Sequence, residues 1–345
     1  MLDSVAKPTL AAYCELIIVS LLFSPRGIMG TKSAFLFPGD FWLIEEPSVE
    51  TQTIPFDSFF LQTGSWPLGC GVSISTRKGG VIVFDFSGYP DALMRVSDGP
   101  EYFSDAIQAT QTRVKVINAF SLCLHTARLE NENFSIDTFR IDHQDLFHLT
   151  GEDVSSGMGG NGLRKLPTPL VGGYLRDYYK HGIIPKTSLD LACEVLESII
   201  SCEYDKSLDL ASLLNDAATS FSNHEFASSL ITAWTVCETL LQHHWTSYMK
   251  SRHGSTINSS RKQKLIGRDF TASVVSEVLE LAEIIDPETL NALDKARKAR
   301  NAWMHSIKSP SYEDARDAIG LAARMLGGVL GRNVRVELPL GVSGL

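Results

Sequence analysis

No run of about 20 apolar residues occurs anywhere in the chain, so no segment has the length of a membrane-spanning helix. The nearest approach is Leu10 to Phe23, LAAYCELIIVSLLF, which is fourteen residues long and carries Glu15. It lacks the basic n-region and A-x-A site of a signal peptide, and reads as an N-terminal helix or as an extension from an upstream start, with Met29 as an alternative start. Cysteine is sparse and unpatterned. Cys14, Cys70, Cys123, Cys193, Cys202 and Cys237 form no C-x-x-C pair and sit mostly in apolar helical contexts. That excludes a disulfide framework and a zinc knuckle, and points to buried free thiols in a reducing cytoplasm. Basic charge is also short: 31 Lys and Arg stand against 40 Asp and Glu, a formal charge of −9. A protein that coats nucleic acid by bulk electrostatics is excluded, so any RNA site has to be a local basic patch. Phosphate-binding fingerprints are missing too. The glycine-rich stretch GEDVSSGMGGNG at 151–162 lacks the G-K-[ST] ending of a P-loop and the strand-to-helix setting of a dinucleotide fingerprint, and reads as a flexible interdomain loop. No cofactor and no metal are expected.

What is present divides the chain in two. At 345 residues and 44% apolar content it can hold two domains with real cores. From Ser33 to about Pro90 the short runs SAFLF, DFWLIEE, SFFLQTG, GVSIS and GGVIVFDFSG, cut by Pro and Gly, predict four or five mainly antiparallel strands. A helix is predicted from about Tyr102 to Arg128 on the spacing of Ile107, Val114, Ile117 and Leu124, then one or two strands within Asn133 to Leu149. His125, His143 and His148 fall here without a paired ligand spacing and are read as having no chemical role. Leu163 to Thr187, with three prolines, reads as a packed connector. From Ser188 nearly everything is helical, with starts at Ser188 or Asp190, Ser207, Asn223, Thr271, Pro287 and Ser311. The link Lys250 to Arg268 carries six Lys and Arg and no acid around a Gly/Ser/Asn centre, which predicts a mobile basic loop. NVRVELPL at 333–340 is expected to form a short strand. The fold class expected is α+β: a mixed domain over 1–187 with a mainly antiparallel sheet and one long helix, followed by an all-α helical domain over 188–345.

The stretch that carries chemistry is Lys295 to His305, KARKARNAWMH. On a helix, Ala292, Ala296, Ala299 and Trp303 form one stripe, while Asp294, Arg297, Asn301 and His305 occupy the opposite arc with Arg300 at its edge. Cleaving RNA without a metal requires the 2′-OH to lose a proton, the 5′-oxygen to gain one, and the phosphorane charge to be stabilised. Histidine is the natural proton carrier near neutral pH, and arginine offers a charged fork to phosphate oxygens.

Arg300 followed at once by Asn301, with His305 four residues beyond, resembles the signature of the HEPN superfamily, in which an R-(polar)-x-x-x-H hexamer supplies the catalytic pair of metal-independent RNases. SIKSPSYEDARDAIGLAARML resembles the serine-started last helix of Apea-like HEPN domains, and FASSLITAWTVCETLLQHHW the glutamate-bearing helix upstream. The resemblance covers about 140 residues at the C-terminal end and leaves the first half unclaimed. It implies a helical bundle, a homodimer whose two Arg/His sets share one cleft, and catalytic roles for Arg300, Asn301 and His305. It also carries over Glu238, expected to pair with Arg300 or His305 and hold it in register. The RNA-contacting cations expected beside them are Arg261, Lys262, Lys264 and Arg297. The activity implied is endoribonuclease action on tRNA, rRNA or mRNA, in a bacterial antiviral-defence or toxin effector whose N-terminal domain meets the trigger or partner protein. The alternative is an inactive HEPN module that dimerises and binds RNA, a nucleotide or a protein. Family toxins paired with a nucleotidyltransferase antitoxin carry a tyrosine two residues after the histidine; Ile307 stands there in this chain, so control by tyrosine adenylylation is not expected.

Overall fold

The computed structural model describes residues 30–37, 41–44, 53–55, 60–93, 101–130, 138–149, 170–171, 174–176, 182–253, 258–267, 270–336 and 338. The run Leu10 to Phe23 and the glycine-rich stretch 151–162 lie outside them. The architecture is α+β. Strands β1 (Lys32–Leu36), β2 (Phe41–Leu43), β3 (Thr53–Pro55), β4 (Gln62–Pro67), β5 (Ser73–Arg77) and β6 (Val81–Asp85) come first, then helix α1 (Glu101–Glu130) and strand β7 (Phe147–Leu149). The main sheet is antiparallel, in the order β4-β5-β6-β1-β7, and is built around β1, where Ala34 faces Val83 on one side and Phe147 on the other. The β5–β6 hairpin closes through Lys78, Gly79 and Gly80; Gly80 adopts φ 93, the left-handed region where a residue without Cβ costs least.

One expectation for this half needs correcting. Leu163 to Thr187 is more than a connector: its described parts form β8 (Leu170–Val171), β9 (Tyr174–Arg176) and β10 (Gly182–Ile184), with β9 pairing β3 and β10 running parallel to β2. The one or two strands expected within 133–149 come to one among the described residues, β7, because Phe139 and Ile141 bond to side chains instead of to a neighbouring strand.

Those side chains belong to α1. Ile107, expected on its apolar stripe, is 58% exposed, whereas every residue from Val116 to Ala127 is buried. A helix buried all round must have neighbours all round. Phe120 meets the sheet edge-on at Phe84, with centroids 5.4 Å apart, and other faces of α1 lie against α2 (Lys186–Ile200) and α3 (Ser207–Ser222). Its buried polar groups are spent on chain segments. The Asn118 amide donates to Ile141 O at 3.0 Å and accepts from Ile141 N at 2.8 Å, as a strand neighbour would. Ser121 Oγ donates to Phe139 O at 3.1 Å. Buried Arg113 donates to Ala92 O, Gly30 O and Ser33 Oγ; burial pulls its pKa down to about 10, against the favourable charge of Asp85, and leaves it a cation.

The helical half continues with α4 (Phe226–His253), α5 (Ser259–Ile266), α6 (Ala272–Leu281), α7 (Pro287–Ser306) and α8 (Tyr312–Leu330). Start signals act as read at α7, where Asp286 caps and Pro287 takes the first position, and at α8, where Ser311 and Asp314 form a capping box. The basic loop expected over Lys250 to Arg268 is instead largely helical: α4 runs on to His253, and Asn258 caps α5 by accepting from Arg261 N at 2.8 Å. Arg, Lys and Gln are good helix formers, so one capping amide suffices to begin a helix there. The tail expected as a strand has no strand among its described residues; Val334 is buried, and Thr126 Oγ1 donates to Arg335 O at 3.1 Å. Trp66 Nε1 donates to Asp190 Oδ1 at 2.6 Å and Gly69 N to Glu197 Oε1 at 2.7 Å, tying the sheet to α2, and one apolar core runs through both halves. No helix among the described residues is long and apolar enough to cross a membrane.

Asn118→Ala should strip both partners from the buried Ile141 peptide groups and lower stability by roughly 2 to 6 kcal/mol, at about 1 to 3 kcal/mol per orphaned group. Urea unfolding measures this, and a loss below that of an ordinary surface substitution contradicts the role given to Asn118.

Candidate functional site

Helix α7 packs against α4, α6 and α8. Leu293 and Ala296 are its buried residues, and Leu290, Ala292 and Ala299 lie half-buried against the core, as expected for the alanines; Trp303 is half-buried. Leu293 turns the helix further than the alanine stripe alone implies. Seven residues along, Arg300 returns to within roughly 20° of Leu293 at about 100° per residue. It therefore stands on the packing side, not at the edge of the polar arc. Its Nε is buried without a hydrogen-bond partner among the described residues, while Nη1 donates to Asn301 Oδ1 at 3.0 Å. The guanidinium is thus drawn round toward the arc that holds Asn301 and, one turn on, His305. The His305 side chain is exposed and makes no hydrogen bond or ion pair among the described residues.

Other expected site residues are placed differently. Glu238 is exposed on α4 and pairs with neither Arg300 nor His305; among the described residues it makes no hydrogen bond or ion pair, so the register-holding contact is not made within one chain. Its neighbours Cys237 and Leu240 take the buried positions and leave it turned to solvent. Arg297 donates to Asp294 Oδ1 at 2.5 Å, and Lys298 pairs with the same carboxylate. Hydrogen bonds from Lys298 and Arg297 hold the Asp294 carboxyl below its usual range, so this arginine is already neutralised. Arg261 and Lys264 are exposed on α5 without an ion pair among the described residues; Lys262 shares that helix, and its side chain lies outside the described ones. Trp245 anchors α5, its Nε1 donating to Leu265 O at 2.9 Å.

The end of α7 projects. Met304 is 52% and Ile307 78% exposed, and Ile307 closes the helix in the left-handed region at φ 52, ψ 26, donating its N–H to Trp303 O at 2.9 Å. A β-branched residue pays steric strain there that glycine escapes. Helix ends are usually closed by glycine in this conformation, as Gly331 closes α8.

A second imidazole group was not singled out from the sequence, although the dipeptide His243-His244 inside α4 was its signal. The His243 ring lies 4.0 Å from that of Tyr204. Burial lowers the pKa of His243, against the charge of Asp205, and lowers that of His244 with help from His243, so both are held toward the neutral form. Among the described residues no three His, Cys, Asp or Glu side chains stand close enough to hold a metal ion. The described cysteines are free; Cys123, Cys193 and Cys237 are buried as expected, whereas Cys70 and Cys202 are half-buried. Burial pushes the Cys193 and Cys237 thiols up to about 12, which removes them as nucleophiles. No protein-family model, curated protein or solved structure matches the chain.

Ile307→Gly should relieve the strain at the end of α7 and raise stability by roughly 1 kcal/mol, half or more of the penalty for an L-residue in this conformation. Thermal and urea unfolding check it; a loss of stability means that the Ile307 side chain contributes more than its conformation costs.

Proposed function

We propose that the chain is a metal-independent endoribonuclease of the HEPN type, acting as a homodimer. The observation that carries this reading is the end of α7, where Arg300 reaches across to Asn301 and an exposed His305 follows one turn later. A neutral imidazole takes the proton of the 2′-OH, whose oxygen attacks phosphorus. The guanidinium stabilises the phosphorane charge, and a protonated imidazole returns a proton to the departing 5′-oxygen. The products are a 2′,3′-cyclic phosphate and a 5′-hydroxyl.

Base and acid are two roles, and this helix end carries one histidine. Arg300 and His305 also leave the α7 axis roughly 140° apart at about 100° per residue, which favours a cleft completed by a second copy. Met304 and Ile307 offer apolar surface for that contact, and a two-fold interface uses the same patch on both copies. Arg261 and Lys264 on α5 supply local positive charge for an RNA backbone in a chain that is acidic overall. Free thiols suit a reducing cytoplasm. A role as an antiviral-defence or toxin effector, triggered through the sheet-bearing half, rests on the family resemblance.

A second reading, an inactive HEPN scaffold that binds RNA or a partner, is favoured by Glu238, which has no partner among the described residues, and by the sequestered Nε of Arg300. Incubating the purified protein with total tRNA and rRNA in EDTA separates the two. We expect cleavage by the wild type and a rate about 10² to 10⁴ lower in His305→Ala, the usual worth of a general acid or base, with unchanged thermal unfolding because the side chain is exposed. Full activity in a folded His305→Ala protein overturns the nuclease assignment, and binding without cleavage by the wild type favours the scaffold.

A further inference from the structure

An open cleft of about 1110 Å³ lies between α1 and α3, bordered by the segment Arg140 to His143 and touched by Thr239 of α4. Ligand sites typically run from about 300 to 1,000 Å³, so there is room for a molecule of nucleotide size. No α7 residue lines it, and it is independent of the nuclease reading.

One face of α3 sets its length. Lys206, Asp209, Leu213 and Asp216 recur every three or four residues along that face. Lys206 and Asp216 are therefore separated by about 15 Å along the axis at 1.5 Å per residue. Between them Leu210 and Leu213 present an apolar surface, with Val114 of α1 also in the lining.

The polar groups of the lining are unequally satisfied. Lys115 Nζ and Asp209 Oδ1 form a complete ion pair at 2.7 Å. Lys206, at the start of α3, has a side-chain ammonium with no ion pair or hydrogen bond among the described residues. At the other end, Asp216 Oδ1 is buried with no hydrogen bond among the described residues. Among the described residues its charged neighbour is Arg140, whose Nε lies 3.5 Å away on a side chain 60% exposed to solvent. Burial raises the Asp216 pKa against the opposing charge of Arg140, which marks a carboxylate short of donors. Leaving such an oxygen unpaired is costly unless something supplies N–H groups.

We propose that this cleft binds a guanine nucleotide, with the base edge on Asp216, the planar body against Leu213 and Val114, and the phosphates at Lys206. A carboxylate accepts and cannot donate, so it selects an edge with adjacent donors. Guanine presents N1–H and N2–H₂ side by side. Adenine and cytosine put a ring-nitrogen acceptor beside their amino group, and uracil flanks its single N–H with two carbonyls; each would set an acceptor against the carboxylate. Lys206 meets the opposite requirement, an anion, and an extended nucleoside diphosphate spans the distance between the two.

Isothermal titration of the full-length protein with GDP, ADP and orthophosphate tests this. GDP should bind, ADP about tenfold or more weaker, and orthophosphate weaker than either nucleotide. Asp216→Asn, nearly isosteric, should weaken GDP by about 10- to 100-fold, the usual worth of hydrogen bonds to a charged group, and narrow the gap to ADP. Lys206→Ala, at an exposed position, should weaken GDP yet leave guanosine unchanged, and serves should Asp216→Asn fail to fold. The absence of GDP binding, equal affinity for ADP, or an unchanged GDP affinity in folded Lys206→Ala or Asp216→Asn overturns the assignment.

Discussion

The fold depends on burying α1 from all sides. From Val116 to Ala127 this helix has no face left for water, so the sheet and the helices α2 and α3 must be in place together before its apolar surface is covered. The gain from removing this surface from water supplies the cohesion. The polar groups carried into the interior then decide which conformation is adopted. Asn118, Ser121 and Arg113 could not be buried alone; each is matched to backbone groups of a particular segment, the first two to Phe139 and Ile141 and the last to Gly30 and Ala92. A single core through both halves follows from one helix serving both.

Along its length α1 also changes character. Toward its N-terminus, where Ile107 emerges into solvent, it no longer fills the space against α3, and the large cleft opens there. Helix α7 shows the same transition at its other end. Leu293 and Ala296 are held by the bundle, while Met304, His305 and Ile307 lie beyond it. Both places combine a rigid, well-packed base with polar groups left incompletely satisfied, the condition under which a fold can act on something other than itself.

Legibility in the sequence followed the range of the interactions responsible. The helices of the second half were readable because their signals are local: Pro287 behind Asp286 and the Ser311–Asp314 box mark starts within a few residues. Helix α5 was missed because Gly254, Ser259 and Ser260 weigh toward a loop, and the deciding bond is one amide, Asn258, accepting from Arg261. Strands β8 to β10 are two or three residues long, too short for alternation to register, and exist only because distant β2 and β3 offer partners. The Arg300-Asn301-His305 spacing was visible at once, but the side on which Arg300 lies depends on how deeply Leu293 enters the core. The exposure of Glu238 likewise depends on how α4 is rotated in the bundle. The cleft between α1 and α3 had no sequence signal, since its lining comes from α1, α3 and the segment around Arg140 between them.

The chemistry assigned to Arg300 and His305 leaves a mark on its product that no metal-assisted hydrolysis leaves. Attack by the 2′-oxygen must end in a 2′,3′-cyclic phosphate on the upstream fragment and a 5′-hydroxyl on the downstream one. Identifying the termini of RNA fragments produced by the wild-type protein in EDTA, by end-specific labelling and mass spectrometry, is the most direct test. Cyclic phosphate and 5′-hydroxyl ends are predicted. Fragments ending in 3′-hydroxyl and 5′-phosphate, or RNA left intact by a protein shown to be dimeric, contradict the account.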